Sequence, residues 1–170
     1  MLADPRCVRC HEKEVAAFAR SAMAHSLTKT VSLPDGAFQQ TISGTRFSIR
    51  TGSAGMVQEF ERGEESSQPV AYVVGSGKHA FGFLIQIDGH LFQSPISYYA
   101  KAGVWDMAPG YEEMSNPDFS RPVTPECLLC HAGQANPVED TLNTYAATPF
   151  VQEAISCERC HGPVESHLKN

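Results

Sequence analysis

The chain has 170 residues, with 13 Lys and Arg against 19 Asp and Glu, for a formal net charge of −6. That balance argues against a nucleic-acid partner, which needs basic stripes, and favours encounter with a basic one. The hydrophobic fraction of 42% suits one packed domain, and no apolar run approaches the length that spans a bilayer.

Asp4-Pro5 is a helix start, an oxygen side chain for free amides followed by a proline tolerated at the first helical position. The helix opens on Cys7-Val8-Arg9-Cys10-His11, a pattern that returns at Cys127-Leu128-Leu129-Cys130-His131 and Cys157-Glu158-Arg159-Cys160-His161. Each string reads as a covalent c-type haem site. Two thiols on a helical turn reach the two vinyl groups of a porphyrin, and the adjacent imidazole turns under the ring to bind iron. Zinc is the rival reading of paired C-x-x-C strings, but a zinc ribbon has no use for a histidine after each second cysteine, and the last two pairs are too far apart. Three haems consume all six cysteines of the chain. The expected cofactors are therefore three covalently bound haem c groups, held by Cys7, Cys10, Cys127, Cys130, Cys157 and Cys160, with His11, His131 and His161 as proximal iron ligands.

After His11, the residues Val15, Phe18, Ala19 and Ala22 keep helical spacing, and His25 falls at or just past the helix end. Leu33-Pro34-Asp35-Gly36 is a turn. Residues 36–96 form a β-rich insertion between the first and second haem strings, with strands predicted over 45–51, 56–61, 70–74 and 80–87. Phe81, Phe83, Ile85 and Ile87 alternate with Gly82, Leu84, Gln86 and Asp88, which predicts one apolar face. Asp88-Gly89 signals a hairpin into a strand at 90–93. Residues 62–69 read as a solvated loop, 98–111 as an aromatic segment beside haem, and 116–125 as a connector.

Thr124-Pro125 repeats the helix-start pattern before the second string. Thr148-Pro149 predicts a further helix whose apolar face is Phe150, Val151, Ala154 and Ile155. Gly162-Pro163 ends the turn of the third string, leaving room for one more turn that carries His167. Residues 124–170 thus hold haem sites two and three. The expected fold class is α+β: a single triheme domain over 1–170, short helices around three haems and an inserted antiparallel β meander.

Beyond the three proximal histidines, four remain for a sixth coordination position: His25, His79, His90 and His167. Ser21-Ala22-Met23-Ala24-His25-Ser26, Gly75-Ser76-Gly77-Lys78-His79, Leu91 to Ile96, Trp105 to Tyr111 and Cys160-His161-Gly162-Pro163-Val164-Glu165-Ser166-His167 join the three strings in a wider pattern. Over most of its length the chain resembles multihaem cytochromes c related to the tetrahaem electron carrier of ammonia oxidisers. The resemblance implies bis-histidine irons with His25 and His167 as distal ligands and His79 as the third. It departs from the family at Val164, where a second glycine usually follows the proline. A helix-end role is the alternative for His25 and an exposed turn position the alternative for His79, whereas His90, after a hairpin glycine, reads as a surface residue rather than a ligand. Gly75-Ser76-Gly77-Lys78 lacks the full phosphate-loop spacing.

These readings predict electron transfer by low-spin haems rather than an enzyme. One alternative is a reductase or gas-binding protein with an open iron, in which His90, Tyr98, Tyr99 or Lys101 donate protons. Another is a redox subunit of an oligomer, larger complex or conductive filament. The expected partners are redox proteins or other multihaem cytochromes. Covalent haem attachment is carried out outside the cytoplasm, so a periplasmic or extracellular location is expected, with the leader absent from this chain, because only six residues precede Cys7.

Overall fold

The computed structural model describes residues 4–169. Helix α1 (Pro5–Phe18) begins where Asp4 accepts the Arg6 amide at 2.8 Å, and a 3-10 turn follows at Met23–His25. Short β1 (Leu27–Thr28) leads to β2 (Gly36–Gln39), β3 (Arg46–Gly52), β4 (Gly55–Arg62), β5 (Glu64–Val74), β6 (Gly82–Ile87) and β7 (His90–Gln93). The hairpin β8 (Ile96–Tyr99) and β9 (Val104–Met107) comes next, then β10 (Arg121–Pro122). The remainder is α2 (Pro125–Leu128), β11 (Gln134–Pro137), β12 (Tyr145–Gln152), α3 (Glu158–His161) and α4 (Val164–Leu168).

The main sheet is an antiparallel meander in the order β10-β7-β6-β5-β4-β3-β2, with β1 added beside β5. Its middle is the 11-residue β5. The first half of β5 pairs with β4, and its second half lies between β6 and β1. The turn between β6 and β7 is the expected one. Asp88 and Gly89 both take positive φ, 49° and 81°, which lets the chain reverse in two residues and set Ile87 opposite His90.

Each face of this sheet buries its own core, so β6 is apolar on both sides rather than one. Phe83 faces a core with Phe47, Ile49, Val73, Ile96 and Trp105. Leu84 faces the other, with Leu27, Tyr72, Leu91, Leu128, Tyr145 and Phe150. The β8/β9 hairpin covers the first core. Trp105 lies 5.5 Å from the Phe83 ring and 4.9 Å from Tyr98, donates to the Pro34 carbonyl at 3.0 Å, and sits against Gly36 where a Cβ would collide with the indole. The 98–111 segment is thus partly strand, and its Trp105 packs into the protein's own core.

Two further expectations are corrected. Residues 64–69, read as loop, belong to β5, because Gly63 at φ 78° turns the chain tightly and backbone pairing with β4 needs no apolar side chains. Residues 148–152, read as helix, are the end of β12. There the burial of Phe150, 4.7 Å from the Tyr72 ring, outweighs the helical spacing of neighbouring apolar residues. Pro149 fits where the pairing with β11 is irregular.

Candidate haem sites

All three C-x-x-C-H strings begin at or on a helical turn, and none of the six cysteines forms a disulfide. In α1 the backbone leaves helical geometry at His11 (φ −122°, ψ 39°), so the histidine sits at a kink just after the two cysteines. The second string begins in α2 and closes through the His131 and Ala132 amides, which donate to the Leu128 carbonyl. In the third, the Cys160 and His161 amides both donate to the Cys157 carbonyl, and Gly162 at φ 77° ends the turn.

The first and third strings line one cavity of about 550 Å³, together with Val15, Phe18, Met23, Ile155 and His167. Their thiols are close enough to interact: burial chiefly pushes the Cys157 thiol up, and the nearby Cys7 adds to the shift. Across this cavity the His11 and His167 rings stand 6.1 Å apart, centre to centre. The segment entering the third string is fixed by Ser26, whose Oγ accepts from the Ile155 amide at 3.1 Å.

The second string is attached differently. Leu128 is 4% exposed and anchors the turn in the second core, whereas the adjacent Leu129 is 56% exposed. Tyr145 packs in the same core, and its hydroxyl donates to the Val123 carbonyl at 2.8 Å. Arg159 of the third string donates to the Leu129 carbonyl at 3.3 Å, which joins strings two and three.

The remaining histidines are dispersed. His25 lines a second cavity of about 640 Å³ with Leu27, Thr28, Phe81 and Phe150, and its Nε2 is 2.9 Å from the Ala19 carbonyl at the end of α1. His79 is exposed between β5 and β6. His90 lies beside Phe92, with Nδ1 3.0 Å from the Asp88 carbonyl. Neither of these two lines either cavity.

The residues fit thioether-linked porphyrins on several counts. Helix α1 has an apolar stripe yet buries none of its side chains. Val8, Met23 and Leu168 are about half exposed, as is Leu129, so apolar surface gathers around the strings where a macrocycle would cover it. Among the described residues no three His, Cys, Asp or Glu side chains converge on a metal-ion site. Sequence reasoning missed the contacts that organise the site: Arg6 with Glu165, Arg159 with Leu129, and Ser26 with Ile155. Each spans 30 or more residues, and no local pattern announces such a pairing.

Residues 102–162, which contain the second and third strings, match the family model described as cytochrome c554 and c-prime. The fold is similar to the crystal structure of the outer cell wall cytochrome OcwA, with a TM-score of 0.54 and 17% sequence identity over 98% of this chain. The chain spans about a third of that protein, 32% of its length. No curated protein sequence matches.

Proposed function

We propose that the chain is an electron-transfer module carrying three haem c groups, and that His11 and His167 are the two axial ligands of the first. The carrying observation is the separation of their rings. A metal–imidazole bond is about 2 Å and a ring centre lies about 1 Å beyond its nitrogen, so two imidazoles on opposite sides of one iron stand about 6 Å apart. The observed 6.1 Å agrees. With both axial positions filled by nitrogen, haem iron supplies one-electron exchange with little change in coordination.

In this reading Cys7 and Cys10, Cys127 and Cys130, and Cys157 and Cys160 form the thioethers, and His11, His131 and His161 are proximal. The shared cavity of strings one and three and the Arg159–Leu129 bond support a spatial order one, three, two. The third site would then be central, with its haem placed to relay electrons between the outer two. The acidic surface suits a basic redox partner or another multihaem cytochrome, and the likeness to an outer cell wall cytochrome supports an extracytoplasmic setting.

His25 is the proposed distal ligand of a second iron, bonding through Nδ1 or by releasing the Ala19 carbonyl, and His79 is that of the remaining one. A second reading is favoured by the exposed place of His79 and by its absence from the lining of either cavity. It leaves one iron open to a gas or a small oxyanion, and the module becomes a reductase or gas-binding protein.

Haem stoichiometry and electron paramagnetic resonance of the ferric holoprotein test the proposal. Three haems per chain, all low-spin, are expected, and His167→Ala should turn one of the three high-spin and open it to carbon monoxide after reduction. Fewer than three haems, or an unchanged spectrum in His167→Ala, would overturn it. A high-spin haem in the unaltered protein would select the open-iron reading.

A further inference from the structure

Helices α1 and α4 are far apart in sequence, yet they must be held together for His11 and His167 to face each other. Direct apolar packing of protein side chains contributes little to that docking. Helix α1 buries no side chain, and α4 buries only Val164. The link is polar. Arg6 Nη2 donates to Glu165 Oε1 at 2.6 Å, across 159 positions of sequence. Arg6 is itself held by Asp4, with Nε on Oδ1 at 2.8 Å and Nη2 on Oδ2 at 2.7 Å, and Asp4 is the N-cap of α1. At the other end of the connection, Glu158 Oε1 accepts from the Val164 amide at 3.1 Å and fixes the start of α4 against the third string.

We propose that Arg6 and Glu165 are positioning residues for His167: their ion pair docks α4 onto α1 and holds the imidazole in place as the sixth ligand of the iron attached at Cys7 and Cys10. This rests on the reading of His11 and His167 as one axial pair. Neither residue need touch the haem. The pair acts by raising the population in which α4 is docked and lowering that in which the helix, with its histidine, swings away. The side chains are 41% and 56% exposed, so the contribution is that of a surface ion pair, and it is screened by salt.

Cyanide binding to the ferric holoprotein reads this motion. At saturating cyanide, the rate at a bis-histidine iron is limited by departure of the distal histidine. Relative to the unaltered protein, Glu165→Gln should raise that rate about 2–5-fold at one haem, at an ionic strength of about 0.01 M, and leave the other two haems unchanged as internal references. The difference should vanish near 1 M salt, where the Debye length falls to about 3 Å. Arg6→Gln should act at the same haem, and the double variant should be no faster than the faster single one. Equal rates in Glu165→Gln and the unaltered protein at low salt would overturn the proposal, as would an acceleration that salt does not remove. The His167→Ala variant separates the two failures. If it turns high-spin while Glu165→Gln changes nothing, the axial pair stands and only the positioning role falls; if it stays low-spin, the axial assignment itself falls.

Discussion

Tyr111 and Tyr145 show how single side chains tie the two cores to pH. Both rings are buried, and burial pushes each hydroxyl up to about 12. Tyr111 donates to the Gln93 carbonyl at 3.0 Å and carries the Arg121 guanidinium 3.7 Å from its ring centre, which opposes the shift. Tyr145 donates to the Val123 carbonyl beside the second string. An unfolded tyrosine ionises near pH 10, so the folded state binds these protons more tightly. Their contribution to stability is complete below about pH 10 and is lost as pH rises through about 12. Circular dichroism against pH should therefore show the β signal holding through pH 10 and collapsing towards 12, together with tyrosinate absorption. Ionisation of every tyrosine near pH 10 with the fold intact would contradict this. At the acid end Arg6, through its side-chain bond, holds the Asp4 carboxyl down at about 2. The cap on α1 is thus retained through the ordinary carboxylate range and released only as pH falls towards that value.

At the scale of elements, the three attachment turns look alike in sequence but are anchored by different means. The second turn hangs on Leu128, which is inserted into the core made by Leu84, Leu91 and Tyr145. Leu128→Ala should cost roughly 2–5 kcal/mol in denaturant unfolding, whereas Leu142→Ala, at a position 63% exposed, should stay within about 0.5 kcal/mol. Equal effects would mean that α2 does not depend on the second core. The first turn has no such anchor and depends on the polar contacts of Asp4, Arg6 and Glu165. The third is tied by Ser26, which holds Ile155 just before it, and by Arg159, which reaches Leu129 of the second. Strand β12 connects these elements. It folds as a strand because Tyr145 and Phe150 reach the sheet face beside Tyr72, and it delivers the chain to Cys157 from that face.

Over the whole molecule, an antiparallel sheet gives two separate cores, and the second string is anchored in the second of them. The proposed order one, three, two makes the outer sites unequal neighbours of the central one, since strings one and three share a cavity. Charge on one site should disfavour like charge on its neighbour, most strongly where the separation is short. A Cys7→Ser/Cys10→Ser variant without the first haem should therefore shift the potential of the third site more than that of the second. Spectropotentiometric titration resolves this, and a larger shift at the second site would contradict the order.

Much of this was legible in the residues themselves. Local pattern alone sets the three C-x-x-C-H strings, the helix start at Asp4-Pro5, the turn at Asp88-Gly89 and the helix that carries His167. Each is decided within about five residues, by capping oxygens, positive φ or the reach of one helical turn. Where those turns meet depends on contacts between residues distant in sequence. Residues 148–152 have helical spacing yet form a strand, because burial of Phe150 against Tyr72 outweighs local preference. The His11 and His167 rings come within 6.1 Å, the first and third strings share a cavity, and Arg159 reaches Leu129 of the second, through contacts as distant in sequence as Arg6 with Glu165. Such meetings are set by which surfaces remain to be covered once the sheet has formed, and no five-residue pattern records that.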